Sequence, residues 1–365
     1  MKILHILNSS NIGGIEWFVY YLTKTQTTNN NLKVGILFCS EKGELKAKFA
    51  ELPIKIHHIN LGAFNFNFKK YSQLIAIAKS YDLVHMHSFK PMREWALYLT
   101  KNKLIYTNHT VFGFGRKTKL TDHLKRILFI HFQNRPTNFL TYNSNYTRTY
   151  WKNRGVTNTN SKIVYNGVLF KKVTTGLTKK DHGLSGKFIV GTSSRLINWK
   201  RVNLLIDAFY IFQKGKEDVH LLIVGDGLQR ITLEALVRKY NIEHKVTFSG
   251  YQVNVEDYQY LMDVCVFPST TEAFGLVAIE CMYLGKPVLV MQDGGGIVEI
   301  LNQIEPENIR TDNTSLANGI EMYYNNKSLL TGKFAQKRSL FATKFKMEVA
   351  EQEFYSIYQK INACQ

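Results

Sequence analysis

Residues 263–290 read DVCVFPSTTEAFGLVAIECMYLGKPVLV: an apolar run, a polar loop, an amphipathic stretch, a glycine and a second apolar run. Pro268 ends the first strand, because proline cannot donate to a ladder, and Gly285 suits the position that closes a helix. Strand, helix and strand in that order make a βαβ unit, with parallel strands and a helix lying across them.

Outward from this segment the same rhythm recurs. Apolar runs at 3–7, 34–38, 83–86, 104–106, 139–142 and 163–165 read as buried strands, and amphipathic stretches such as 18–24 and 71–81 separate them. After the polar stretch KKVTTGLTKKDHGLSGK (171–187) the rhythm restarts at 188–191, 221–224, 246–248, 264–267 and 287–291. Leu204, Leu205, Ala208, Phe209 and Phe212 mark one helical face between them. The expectation is an α/β chain of two Rossmann-like domains in tandem: 1–168, a linker at 169–184, a second domain at 185–345, and a terminal helix at 346–365. No repeat of 20 to 50 residues is visible. Ligands of open α/β sheets bind beyond the carboxyl ends of the strands, so the loops there are where chemistry is to be sought.

Size agrees with two domains, since 365 residues with 45% hydrophobic content exceed what one core usually serves. The start, MKILHILNSSNIGG, is too short an apolar region for a secretory signal, and no stretch approaches the roughly 18 apolar residues of a membrane span. A cytoplasmic location is expected. Cys39, Cys265, Cys281 and Cys364 lack CxxC or Cys/His spacing and read as ordinary thiols, with no metal. The net charge of +19 is lopsided: residues 1–170 carry 24 Lys and Arg against 7 Asp and Glu, and residues 171–365 carry 23 against 21, so +17 and +2. Such an N-terminal half calls for a polyanionic partner, unless it is simply a lysine-rich solvated surface.

In the opening segment Glu272 falls in the loop and Glu280 about one turn into the helix. Phe274, Gly275 and Leu276 between them would offer amides at a helix N-terminus, which suits phosphate. Two carboxylates beside an anion site make sense if each accepts hydrogen bonds from hydroxyls flanking a diphosphate, one on a sugar and one on a ribose. The plainer alternative is an acidic loop before a surface helix. Arg195 and Lys200, in SSRLINWKR after the strand FIVGT, add two cations at the carboxyl edge of the same sheet and could neutralise a departing diphosphate. In the other half, KILHIL runs into NSSNIGGIEWF, where Gly13 and Gly14 could form a tight loop opening a helix at Ile15 or Glu16. That is not GxGxxG, which disfavours NAD. His85 and His87 share a strand face in DLVHMHS and read as structural or supporting groups. His109, ending the strand in LIYTNHT, is placed to hydrogen-bond a sugar hydroxyl, with a satisfied structural histidine as the alternative.

These residues together resemble the retaining GT-B glycosyltransferases of family GT4. The likeness rests on NIGGIE, DLVHMHS, TNHT, VYNGV, SSRLINWKR, LLIVGDG, EAFGLVAIE and GGGIVEI, spread over nearly the whole chain. It implies two Rossmann-like domains facing a central cleft. It implies that Glu272 contacts the transferred sugar, Glu280 the ribose, Arg195 and Lys200 the diphosphate, and Phe274, Gly275 and Leu276 the phosphate and sugar through their amides. Gly13 and Gly14 then match the loop over the diphosphate, and His109 the histidine beside the reacting sugar. Retention of configuration is likewise implied by the resemblance. Leu169 stands where the family often has an acidic residue after NGV, and Asn198 and Trp199 replace the usual Pro-Glu type pair.

The expected function is hexosyl transfer from a UDP- or GDP-sugar to a saccharide or lipid-linked acceptor in cell-surface polysaccharide or lipopolysaccharide synthesis. No cofactor or metal is expected, because the two cations meet the leaving-group charge. The alternatives are a nucleotide-sugar epimerase and a catalytically idle partner subunit. In 113–133, Arg116, Lys117, Lys119, Lys125 and Arg126 accompany Leu124, Ile127, Leu128, Phe129 and Ile130, a pattern compatible with a helix on an anionic membrane surface. At about 1 kcal/mol per cation this gives reversible attachment. A core-packed helix with a solvated basic face would look the same. No nucleic-acid-binding motif accompanies the charge.

Overall fold

The computed structural model describes residues 1–365 except 63–66, 101, 112–119, 172, 174, 175, 364 and 365, with the backbone alone at 120 and 121. Two units divide it: Met1–Leu169 with Lys346–Gln365, and Phe170–Phe345.

In the first unit β1 (Lys2–Leu7), α1 (Gly14–Gln26), β2 (Lys33–Phe38), α2 (Lys46–Ala50), β3 (Lys55–His58), α3 (Phe68–Lys79), β4 (Leu83–Met86), α4 (Pro91–Tyr98), β5 (Lys103–Asn108), α5 (Leu120–Gln133), β6 (Phe139–Tyr142), α6 (Asn145–Lys152) and β7 (Ser161–Ile163) follow in turn. The strands form one sheet in the order β3-β2-β1-β4-β5-β6-β7, and every neighbouring pair is parallel. Helices cover both faces, so β1, β4 and β6 are buried along almost their whole length rather than alternating. Edge strand β3 went unpredicted because KIHH, exposed at Lys55 and half-buried after it, has no apolar run to betray it. Strand β7 lies two residues before the expected 163–165.

The second unit runs β8 (Phe188–Ser193), α7 (Val202–Phe212), β9 (Val219–Val224), α8 (Arg230–Lys239), β10 (Val246–Gly250), α9 (Val255–Leu261), β11 (Val264–Phe267), α10 (Leu276–Tyr283), β12 (Val288–Met291), α11 (Gly296–Leu301), β13 (Ile309–Arg310), α12 (Asn313–Asn325) and α13 (Gly332–Ala342). Its sheet is parallel, in the order β10-β9-β8-β11-β12-β13. Helix α10 ends as Gly285 foretells: with φ +77° it donates to the Met282 carbonyl, and Lys286 to that of Cys281.

Residues 170–184, expected as a linker, belong to this second unit. Phe170 stacks on Tyr283 with ring centroids 3.9 Å apart, Leu184 is buried, and the Lys179 ammonium lies 2.6 Å from the Asp263 carboxylate. A Thr178–Asp181 capping box closes a short helical turn there. Composition hid all of this, because one stacked ring and one buried leucine leave no periodicity.

The last helix, α14 (Met347–Ala363), returns to the first unit. Met347, Ala350, Phe354, Ile357 and Tyr358 are buried with Phe18, Val19 and Leu22 of α1 against one face of the first sheet. Each sheet reverses its strand order beside its first strand, at β1/β4 and at β8/β11. In each sheet taken by itself, that switch point is where a crevice opens at the carboxyl ends of its strands.

Candidate active site

In the second unit the loop after β8 carries Arg195 and Lys200, and the loop after β11 carries Glu272. Arg201 was not singled out from sequence, yet it ties the loops together. Held at φ +48°, it donates through Nε to the Pro268 carbonyl at 2.8 Å and through both Nη atoms to Asp293, beyond β12. Thr270 N–H bonds Trp199 O, Thr271 N–H bonds Asp293 O, Glu272 N–H bonds Gly294 O, and Gly296 N–H bonds Glu272 O, all at 2.7–3.0 Å. The three loops are therefore one hydrogen-bonded cradle. A Cβ on Gly296 would stand 2.2 Å from the Ala273 carbonyl oxygen, so the triple glycine is what allows this approach.

Within the cradle Lys200 Nζ lies 2.5 Å from Glu272 Oε2, with both side chains mostly buried. Lys200 is expected to meet a diphosphate and Glu272 a sugar; within the protein they pair with each other. Arg195 is exposed and has no ion pair among the described residues. Gly275, at φ +100°, starts α10, leaving the Leu276 and Val277 amides without intrahelical acceptors. The Phe274 ring is buried against Phe345 at a 5.8 Å centroid distance, so only its backbone can face a ligand. Glu280 is half-buried one turn into α10. Burial, reinforced by Glu256 and opposed by Gln259 and Lys171, pushes its carboxyl up to about 7.

In the first unit Gly13 caps α1 and Gly14 is its first residue, earlier than the expected start at Ile15 or Glu16. His109 follows β5 and is buried. It is not isolated: its Nε2 is 3.0 Å from His87 Nδ1, and His87 Nε2 is 2.8 Å from His5 Nδ1. His5 Nε2 is bonded to Gln26, and His85 bridges Tyr358 and Thr107. Burial keeps all four imidazoles neutral, pushing His5 down to about 4, His109 to about 3, and His85 and His87 well below their ordinary value. His5, His85 and His87 offer nitrogens within 4.8 Å of one another, a spacing that could suit a metal ion. All six of their ring nitrogens are already spent on hydrogen bonds, so the cluster is closed as it stands. His5, Gln26 and Tyr358 escaped sequence reading because their proximity depends on strand order and on the returning α14.

A second unforeseen group is the buried pair Arg93 and Glu94, 2.7 Å apart at the start of α4. Arg93 also donates to the Ser88 carbonyl and to Asn8 Oδ1, fixing the loops after β4 and β1 against each other. The basic helix α5 is partly as expected. Leu124 and Ile127 are exposed, as are Trp95 and Tyr98 of α4 and Leu99 just after it, whereas Phe129 is buried in the core and cannot face a lipid. Lys125 lies 3.6 Å from Asp122, and Arg126 bonds His123. Arg116, Lys117 and Lys119 lie outside the described residues. No helix among those described is long and apolar enough to cross a membrane.

Two family models match this architecture, one per unit: Glycosyltransferase Family 4 over residues 12–169 and Glycosyl transferases group 1 over residues 176–338. The chain belongs to the GT-B glycosyltransferases of the GT4 type. This GT4 chain is 35% identical over 146 residues to N-acetyl-alpha-D-glucosaminyl L-malate synthase of Bacillus anthracis, covering 38% of this chain and 37% of that one. It is 23% identical over 236 residues to the O-antigen biosynthesis glycosyltransferase WclY of Escherichia coli, covering 60% and 64%. The aligned stretches thus span less than two thirds of these relatives' own length. Among solved structures, Anabaena Alr3699/HepE in complex with UDP superposes with a TM-score of 0.85 over 99% of this chain and all of that one, at 21% identity. The two-sheet GT-B fold expected from sequence is the fold found.

Proposed function

We propose that this GT4 chain transfers a hexosyl group, with retention and without a metal, from a nucleoside-diphosphate sugar to a saccharide or lipid-linked acceptor of a cell-surface glycan. The observation that carries this reading is the cradle at the β8/β11 switch point, where one hydrogen-bond network joins the loops that carry Arg195, Lys200, Glu272 and the start of α10. Glu272 spends Oε2 on Lys200 and has Oε1 for a sugar hydroxyl, while Glu280 receives the ribose. As the C1–O bond to the diphosphate breaks, its electron pair passes to the phosphate oxygen, where Arg195, Lys200 and the first amides of α10 meet the growing charge. The acceptor oxygen bonds C1 on the face the diphosphate leaves, and its proton passes to that departing oxygen. Gly13 and Gly14 let backbone approach the diphosphate, and His109 accepts a sugar hydroxyl. UDP is the nucleotide to try first, since HepE was crystallised with it, and WclY's role in O-antigen synthesis favours a surface glycan.

Glu272→Ala and Lys200→Ala should each lower kcat by roughly 10²- to 10³-fold with the fold intact by circular dichroism. Near-normal turnover in both would sink the reading.

The acceptor side also motivates a location: the cytoplasm, with reversible attachment to an anionic membrane face. The support is the N-terminal excess of +17, the exposed Leu124 and Ile127 on the same helix as Lys125 and Arg126, and the exposed Trp95 and Tyr98 of α4. Sedimentation with anionic liposomes that weakens in high salt is the expected result; equal binding to neutral vesicles, or none, would count against it.

A further inference from the structure

We infer that a one-directional hydrogen-bond relay, running from His109 through the buried histidines to the C-terminal helix, commits His109 to the Nε2–H tautomer and presents its Nδ1 as an obligate acceptor. His5, His87, Gln26 and Tyr358 are positioning residues in this relay. The inference rests on the sugar-transfer reading only for what Nδ1 accepts.

A neutral imidazole has one donor and one acceptor nitrogen, so in a chain of them fixing one bond fixes all. Two ends fix this one. At the α1 end, Gln26 accepts from His5 through Oε1 at 2.8 Å and donates through Nε2 to the Tyr358 hydroxyl at 3.4 Å. His5 therefore carries its proton on Nε2, and its bare Nδ1 accepts from His87 Nε2–H. The bare Nδ1 of His87 then accepts from His109 Nε2–H.

At the other end stands the Tyr106 carbonyl, which can only accept. Thr141 Oγ1 donates to it at 3.3 Å, so Thr107 Oγ1 donates to Thr141 at 2.7 Å and accepts from His85 Nε2–H at 2.6 Å. The bare Nδ1 of His85 takes the Tyr358 hydroxyl proton at 2.7 Å. Tyr358 thus accepts from Gln26 and donates to His85, and the sense deduced from either end is the same.

The relay has a geometric basis. His5, His85, Thr107 and Thr141 stand on the sheet face covered by α1 and α14, and register pairs His5 with His85 and Thr107 with Thr141. Seven of the eight ring nitrogens of the four histidines are bonded, and the exception is His109 Nδ1, which has no partner among the described residues. A network serving packing alone would not leave its one open ring nitrogen at the residue that follows β5, at the carboxyl edge of the sheet next to β4. There it selects a substrate hydroxyl, which can donate, over a carbonyl or phosphate oxygen, which cannot.

The test uses the full chain labelled with ¹⁵N at histidine, with His109 assigned by difference against His109→Gln and tautomers read at neutral pH from long-range ¹H–¹⁵N correlations. The expected spectrum shows His109 protonated at Nε2 alone. Gln26→Leu leaves His5 Nε2–H with no acceptor, a buried donor that is costly to strand, so Nδ1–H should become populated at His109. Catalytic efficiency should then fall roughly tenfold, the scale of one misplaced hydrogen bond. Gln26→Glu keeps an acceptor toward His5 and should restore the original tautomer. Gln26→Met, closer to glutamine in shape and without its amide acceptor, is the second route if Gln26→Leu does not fold. An Nδ1–H tautomer in the unaltered chain, or an unchanged one in a folded Gln26→Leu or Gln26→Met, would overturn the relay. The spectrum needs no substrate, so failure to transfer sugar would sink the previous proposal while the relay is still judged on its own readout.

Discussion

Glu280 and Gly14 show how single side chains in this fold carry separable consequences. The Glu280 carboxyl is raised from an ordinary 4.5 to about 7, with burial the main cause, Glu256 adding to it, and Gln259 and Lys171 opposing it. A raised carboxyl binds more protons folded than unfolded, so its contribution to stability is greatest below the unfolded value and declines as pH rises from 4.5 to 7. A ribose hydroxyl donating to the carboxylate favours the ionised form, so nucleotide binding should release a proton and tighten as pH rises through 7. Calorimetry across that range, in buffers of differing ionisation enthalpy, should show both effects in the unaltered chain and neither in Glu280→Gln; the same slope in both would remove Glu280 from the ribose site. Gly14 offers the complementary case. No atom lies within 4 Å of a Cβ placed there, and its φ is not positive, so nothing in the protein requires glycine at that helix start. Gly14→Ala should leave stability unchanged or raise it by up to about 1 kcal/mol, yet slow transfer if a diphosphate must approach that backbone. Full activity in the variant would leave the glycine unexplained.

At the scale of elements, the cradle depends on backbone closeness rather than on the charged side chains it displays. Gly296→Ala puts a methyl 2.2 Å from the Ala273 carbonyl oxygen, where only backbone can yield. Destabilisation of about 1–3 kcal/mol is expected, with a parallel loss of nucleotide affinity in thermal-shift titration, since the β11 and β12 loops would part. An unchanged melting temperature and affinity would mean that the loops tolerate separation. The displayed residues, Arg195, Lys200, Glu272 and Glu280, could be picked from sequence because they follow apolar runs whose ends mark the carboxyl edge of a sheet. The fasteners could not. Arg201 reads as one more basic residue beside Lys200, and Asp293 as a turn residue; their bond joins loops 92 positions apart. Edge strands β3 and β13 were missed for a related reason, since half-buried or very short strands need no apolar run. The histidines fell between these cases: the alternation of His85 and His87 put them on one face, but finding His5 opposite His85 required the strand order.

The whole chain closes its first unit with its last helix, which makes that unit discontinuous and gives α14 a structural weight its position in sequence does not announce. Phe354 is fully buried, 6.3 Å ring to ring from Phe18 and 5.1 Å from His85, and Tyr358 next along the same face joins the histidine relay. A terminal amphipathic pattern alone fits any docking site, so sequence could propose the helix but not its partner face. Phe354→Ala removes a ring from a face that α1 and the sheet cannot refill, a loss of about 3–5 kcal/mol. Because the second unit has its own core, built on β8, β9 and β11 with α7 and α12, that loss should fall on the first unit alone. Hydrogen exchange resolved by peptide should show β1, β2, β4 and β5 losing protection while β8, β9 and β11 keep theirs, and nucleotide should still protect the cradle loops. Uniform loss of protection across both sheets would instead make the chain one cooperative unit, with α14 holding the second domain as firmly as the first.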